Sequence, residues 1–347
     1  MKEIKITSKE SGQRLDKLLK KYLQEAPGSF IYKMLRKKNI VLNDKKATGN
    51  EKLAEGDSVK LYFSEETLNK FLGKNSVNSM EVSKKEIKSG KLGNPKAVRV
   101  IYEDDHILLM NKAVGVLSQK ANPTDLSMVE HLTAYLLENG SIRKEDLQTF
   151  HPSICNRLDR NTSGILVAGK TMPGLQKMGE IFKDRSLKKY YLCMVKGKLT
   201  KPAKVEGFLE KNEKTNCVTI KNHTSANGKE IQTEYMPLAW NEDVTLLRVH
   251  LITGKTHQIR AHLASIGHPL LGDYKYGDKS YNDKYKKKFG LGSQFLHAYE
   301  ICFPKMEEPL ENLSGKTFMA PLPEKFWKIT KETKWQHGIL EDLEVPH

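Results

Sequence analysis

Segment 151–171, HPSICNRLDRNTSGILVAGKT, sets reactive side chains directly ahead of an apolar run. Asp159 stands between Arg157 and Arg160 in a polar stretch, and Ile165-Leu166-Val167-Ala168 follows at once. A nearby opposite charge favours the carboxylate over the acid, so the two arginines would keep Asp159 ionised and oriented. A loop residue held by a buried strand is a common position for a catalytic group. The same segment also fits GxxxxGK[ST], from Gly164 to Thr171, the pattern of a loop that cradles phosphate. The intervening Ile-Leu-Val-Ala speaks against that reading. Such a run favours a strand, whose N–H groups pair with a neighbour and do not face phosphate. His257, His262 and His268 are five and six residues apart, which does not bring them to one helix face, and no carboxylate pair accompanies them. No metal centre is expected there; capping, loop or ligand-contact roles fit better.

The elements that must position these groups can be read from hydrophobic periodicity. RVIYE and HILLMNK read as two strands joined by a turn at Asp104-Asp105, which is also the plainer reading of the Asp104, Asp105 and His106 cluster. Residues after Thr171 read as a helix leading into a strand that starts at Tyr190-Tyr191. VTLLRVHLITG reads as a strand feeding KTHQIRAHLASIGHPLLGD. Paired tyrosines are usually core, although an RNA enzyme can stack one on an extruded base.

The front of the chain differs. Leu15, Leu18, Leu19, Tyr22 and Leu23 follow the spacing of an amphipathic helix. Pro27-Gly28 breaks it, and Ser29 is placed to cap a second helix with Ile31, Met34 and Leu35 on its apolar face. Lys33, Arg36, Lys37 and Lys38 crowd the rest of that helix. IVLN and SVKLYF read as strands, with a turn at Asn43-Asp44. Residues 66–96 are polar and lack sustained periodicity, as a linker would.

Composition sets the class. The 347 residues are 38% hydrophobic and carry a net charge of +16. Residues 1–97 hold 22 Lys and Arg against 12 Asp and Glu, or +10, which points to a polyanion-binding front end. No apolar run approaches the roughly 20 residues of a membrane span, and the N-terminus does not read as a signal peptide. Four widely spaced cysteines form no CxxC pair and suit free thiols in a reducing cytoplasm.

On these residues the chain resembles the RluA-type pseudouridine synthases. The matching motifs are Ile101–Lys112, Arg157–Gly164, Lys189-Tyr190-Tyr191-Leu192, and Thr253–Arg260 continuing to Gly267–Asp273. A weaker match joins Leu296-His297-Ala298-Tyr299 with Ala320-Pro321-Leu322-Pro323. The front resembles the alpha-L RNA-binding fold of a small-subunit ribosomal protein, through Gly12–Asp16, Arg36-Lys37 and Gly56-Asp57. The chain departs from the family at Asn156, where His is usual, and at Ala113, where Pro is usual.

The resemblance implies an α+β fold: a mixed, largely antiparallel catalytic sheet behind a small RNA-binding domain. The expected division is 1–66 for that domain, 67–96 for a linker, 97–330 for the catalytic domain and 331–347 for a tail. It implies isomerisation of uridine in RNA without metal, nucleotide or other cofactor. Asp159 would be the essential carboxylate, attacking C1′ or removing a sugar proton. Tyr191 would stack on the base, and Arg260 would pair with the carboxylate. Arg14, Lys33, Arg36, Lys37, Lys38, Arg157, Arg160, Lys255 and His257 are expected to contact RNA. Ribosomal large-subunit RNA is the favoured substrate over transfer RNA, for a monomer. A non-catalytic RNA-binding protein and a P-loop hydrolase are the readings from other classes.

Overall fold

The computed structural model describes residues 1–72, 93–212, 217–221 and 228–338. Most of the expected linker and the end of the tail lie outside them. The front unit comprises β1 (Lys2–Lys5), α1 (Leu15–Tyr22), α2 (Gly28–Arg36), β2 (Ile40–Leu42), β3 (Lys45–Lys46), β4 (Ser58–Leu61) and α3 (Glu65–Phe71). Its strands form one sheet in the order β1-β4-β2-β3. The four apolar positions of α1 and Leu23 just after it are all buried, packed on Ile31 and Leu35 of α2 and on Val59 and Leu61 of β4. Asn43 and Asp44 both have positive φ, 50° and 62°, the geometry of a two-residue hairpin whose twist matches its strands. Two local expectations change. Pro27, not Ser29, occupies the cap position of α2, because the helix already begins at Gly28. Helix α3 crosses the boundary placed at residue 66, and its Leu68 and Phe71 pack on the front core.

The larger unit runs through β5 (Val100–Glu103), β6 (Ile107–Lys112), α4 (Met128–Glu138), β7 (Ser153–Ile154), β8 (Ser163–Gly169), α5 (Met172–Lys183) and β9 (Lys188–Lys196). It continues with β10 (Ala203–Asn212), β11 (Cys217–Lys221), β12 (Lys229–Trp240), β13 (Val244–Leu251), α6 (Gln258–Ser265) and α7 (Lys279–Phe289). It closes with β14 (Leu296–Cys302), β15 (Thr317–Met319), α8 (Glu324–Glu332) and β16 (His337–Gly338). The sheet order is β11-β10-β12-β13-β9-β14-β8-β6-β5, with β7, β15 and β16 attached to β8, β14 and β12. All pairings are antiparallel except that of β8 with β14. This is the expected mixed α+β architecture. The last strand pairs residues 337–338 with β12, so the chain beyond residue 330 still contributes to the sheet.

That parallel joint depends on Gly164. Its φ is +107°, and a Cβ there would lie 2.2 Å from the Ala298 carbonyl oxygen of β14. Ser163-Gly164 is therefore already strand, and the tight turn falls earlier, closed by the Thr162 N–H donating to Asp159 O at 3.0 Å. The false phosphate loop is the fully buried β8, and Lys170 at its end donates to Glu103 Oε1 at 2.6 Å. The front unit meets the larger one through polar contacts: Lys9 Nζ with Asp146 Oδ2 at 2.9 Å, and Thr149 Oγ1 donating to Glu10 Oε1 at 2.6 Å. Among the described residues no helix is long and apolar enough to cross a membrane.

Candidate active site

Asp159 sits on the loop between β7 and β8, and three side chains fix that loop. Asn156 turns back onto β8, accepting from Val167 N at 2.8 Å and donating to Ile165 O at 3.3 Å. It thus serves as a brace at the position where the family usually has His. Ser118 Oγ accepts from Leu158 N at 3.0 Å and donates to Leu158 O at 2.8 Å, clamping the residue before Asp159. Lys112, at the end of β6, is fully buried. Its Nζ donates to Ala113 O, Val116 O and Arg160 O at 3.0, 2.8 and 3.0 Å, so it ties loop 113–116 to the loop that carries Asp159. Burial pushes the Lys112 amine down to about 7, opposed by the Asp159 charge. Three carbonyl acceptors favour the ammonium form, which alone has three protons to donate.

The cation that reaches Asp159 comes from far along the chain. Arg260 Nη1 on α6 lies 3.1 Å from Asp159 Oδ2. Its Nε and Nη2 grip Asp273 at 2.7 and 3.0 Å in a bidentate pair. Asp273 is almost wholly buried and also accepts from the backbone of Lys275 and Tyr276. Burial works to lower the Arg260 pKa, yet Asp273 and Asp159 together hold it above its ordinary value. Arg157 and Arg160 flank Asp159 in sequence but are not its recorded partners. Arg160 points outward and donates from Nε to Gly115 O at 3.1 Å, while exposed Arg157 lines the cleft. The expectation that these two arginines orient the carboxylate is corrected: neither bonds to Asp159, Arg160 is engaged by Gly115 O, and the cation that reaches Asp159 is Arg260.

His257 has φ +53° at the start of α6. Its Nδ1 is 2.9 Å from Tyr276 Oη, and its Nε2 is 3.8 Å from Asp159 Oδ2. Burial lowers its pKa, partly offset by the Asp159 charge, which favours the neutral ring. Expected only as an RNA contact, it is also a neighbour of the carboxylate. Tyr191 on β9 is 7% exposed and lines the same cleft. Burial, then the Asp159 charge, raises its phenol above the ordinary value. Tyr190 points to the opposite face of the sheet, under the Arg248 guanidinium at 3.6 Å.

The cleft holds about 600 Å³. Asp159 is the one acidic side chain among the described residues that line it, in the company of Lys120, Arg157, Arg160, Lys255 and Arg260. Of the other expected RNA contacts, Lys33, Arg36, Lys37 and Lys38 are exposed on and just after α2. Arg14 is engaged internally, with Asp16 at 3.0 Å and Asn50 at 2.7 Å. His262 meets Thr233 Oγ1 and His268 meets Lys196 O, each at about 3 Å. Among the described residues no three His, Cys, Asp or Glu side chains group as a metal site. Sequence reading assigned no role to Lys112, Ser118, Asp273 or Tyr276. Lys112 and Asp273 end two of the matching motifs, which was their only signal.

Residues 106–265 match the family model described as RNA pseudouridylate synthase. The chain is 31% identical over 332 residues to the ribosomal large subunit pseudouridine synthase C of Vibrio vulnificus, covering 93% of this chain and 94% of that one. It is 30% identical over 309 residues to the protein of the same name from Escherichia coli K12, covering 87% and 88%. Among solved structures, human RNA pseudouridylate synthase domain containing 4 superposes with a TM-score of 0.56 at 20% identity, over 71% of this chain and 97% of that one, which establishes a shared fold. Relatives of this identity along nearly their whole length place the chain in the RNA pseudouridylate synthase family, and with it among the enzymes that isomerise uridine within RNA.

Proposed function

We propose that this enzyme forms pseudouridine in large-subunit ribosomal RNA and that Asp159 is its acting carboxylate. One observation carries the reading: a single carboxylate, 3.1 Å from a buried arginine, lies in a cleft whose other charged side chains among the described residues are cations. Positive walls suit a polyanion, and a volume of about 600 Å³ suits one extruded nucleotide. The ribosomal substrate is favoured by the names of the relatives, which span most of the chain.

The reaction breaks the N1–C1′ bond, turns the uracil and joins C5 to C1′. The C5 proton leaves and N1 ends as N–H, so atoms and electrons balance without redox partner, metal or nucleotide. A carboxylate suits glycosidic chemistry at C1′. Addition to C1′ and removal of a sugar proton both start from Asp159 held against the ribose. Arg260 holds that carboxylate by its Nη1 at 3.1 Å. Tyr191, with its pKa raised, enters as a neutral phenol suited to pack on the uracil and poorly suited to take the C5 proton alone. Lys33, Arg36, Lys37 and Lys38 have no acidic partner among the described residues and would hold phosphates of the surrounding RNA. We also propose a monomer working in a reducing cytoplasm, in keeping with free thiols at Cys155, Cys193 and Cys302.

Pseudouridine mapping across total RNA, with and without the gene, tests the substrate. Loss of signal at one or a few uridines of large-subunit RNA, restored by the returned gene, is expected. Loss confined to transfer RNA moves the substrate there, and no loss in any RNA overturns the reading.

A further inference from the structure

We propose that α7 is a second RNA-backbone surface, built onto the segment that holds the active-site arginine. The inference rests on the reading of RNA as substrate. The helix KSYNDKYKKKF carries five lysines and one aspartate. Asp278 caps its start by accepting from Tyr281 N at 3.1 Å, and Gly290, in the left-handed region, ends it. Lys284, Lys286, Lys287 and Lys288 are exposed, and none has an acidic partner among the described residues. Cations in a last turn also complement the helix dipole, but that effect falls off within the turn and asks for one or two charges. It accounts for neither Lys284 nor the exposed aromatic beside the patch. Tyr274 is 39% exposed, with Lys286 Nζ 5.9 Å from its ring centre. Tyr274 Oη donates to Asp283 Oδ1 of the same helix at 2.8 Å, which holds the ring against the lysines. A cationic track beside an exposed aromatic ring is the arrangement that binds single-stranded nucleic acid, phosphate on the cations and base on the ring.

The location ties the patch to the reaction. Asn282, on the buried side of α7 and 1% exposed, accepts from Gly272 N at 2.8 Å and donates to Asp273 O at 2.9 Å. The Asp273 side chain grips Arg260, and Tyr276, three residues on, meets His257 beside Asp159. A few residues thus separate the lysine face from the wall of the cleft. RNA whose target nucleotide sits in the cleft would carry its flanking backbone past this face.

The test is a salt titration of binding to transcribed large-subunit ribosomal RNA, by wild type and by the variant Lys284→Gln/Lys286→Gln/Lys287→Gln/Lys288→Gln. A second variant, Lys183→Gln/Lys188→Gln/Lys305→Gln/Lys316→Gln, removes the same charge from exposed positions that do not line the cleft. Each lost phosphate contact lowers the slope of log affinity against log salt by roughly 0.7–0.9. The α7 variant should lose at least about ten-fold in affinity at low salt and about 3 to 4 in slope, with the second variant close to wild type. Unchanged affinity and slope, or equal losses in both variants, would overturn the proposal. Because binding is read apart from turnover, a wild type that binds but converts no uridine would count against the proposed function and leave this comparison decisive.

Discussion

Arg260 divides its guanidinium between two carboxylates: Nε and Nη2 hold Asp273 at 2.7 and 3.0 Å, and Nη1 reaches Asp159 at 3.1 Å. The bidentate pair fixes the plane of the guanidinium, and the remaining nitrogen then fixes where Asp159 can point. Lysine keeps the charge and loses the fork. Arg260→Lys should therefore lower kcat by roughly 100-fold, the scale expected when a reacting group is misplaced by about 1 Å, with a smaller change in KM. Asp273→Asn leaves a buried cation with one partner fewer and should cost about 3–5 kcal/mol of stability. Single-turnover kinetics on a short RNA and denaturant unfolding measure the two effects. A kcat within two-fold of wild type for Arg260→Lys would show that Asp159 is oriented by something else.

Lys112 makes a distinct prediction because it is fully buried and ties down the loop that carries Asp159. Lys112→Met fills the space and removes three donors, leaving the carbonyls of Ala113, Val116 and Arg160 without them. Arg160 O keeps the Gly115 N–H at 2.9 Å, so the loss falls on the Ala113 and Val116 carbonyls. An unsatisfied buried acceptor costs roughly 1–3 kcal/mol, and about that much stability should be lost. The loosened loop should lower kcat more than it raises KM. Equal unfolding midpoints and equal kcat for variant and wild type would remove Lys112 from the positioning frame.

Acid should destabilise the fold through His297. This ring is fully buried, its Nε2 donating to Ala320 O at 3.0 Å and its Nδ1 2.8 Å from Ser163 Oγ, so it is held neutral. Burial lowers its pKa to about 4, from an ordinary value of 6.5. Between those values the unfolded chain binds the extra proton, so stability is complete above about pH 6.5 and falls as pH drops towards 4. The loss from this group is about 3 kcal/mol. Urea unfolding across that range should show the decline, and His297→Gln should flatten it. A pH-independent midpoint between 4 and 6.5 contradicts the assignment.

The sequence made the scaffold legible because β8 and the α1 face declare themselves by local apolar spacing. The site was less so, since its contacts join residues far apart. Arg157 and Arg160 flank Asp159 without bonding to it, while the arginine that reaches it lies 101 residues on. Only the resemblance singled out Arg260; charge and spacing did not. The clamp by Lys112 depends on sheet order, which pairs β6 with β8 and brings Lys112 level with Gly164. Asn156 braces β8 by its side-chain amide, a use that no local pattern announces. Basic helix α7 was not legible as an RNA surface, because a lysine-rich helix reads equally well as a solvated face.

The central claim is that Asp159 carries the chemistry, and Asp159→Asn tests it most directly. The amide keeps the shape and removes the charge that Arg260 holds. Pseudouridine formed per enzyme on transcribed large-subunit ribosomal RNA is the quantity to measure, beside binding of the same RNA and thermal unfolding. The variant should fold and bind RNA within a few-fold of wild type while turnover falls by more than about 100-fold, as loss of one essential group commonly does. Turnover above about one per cent of wild type, in a folded and RNA-binding variant, would contradict the account.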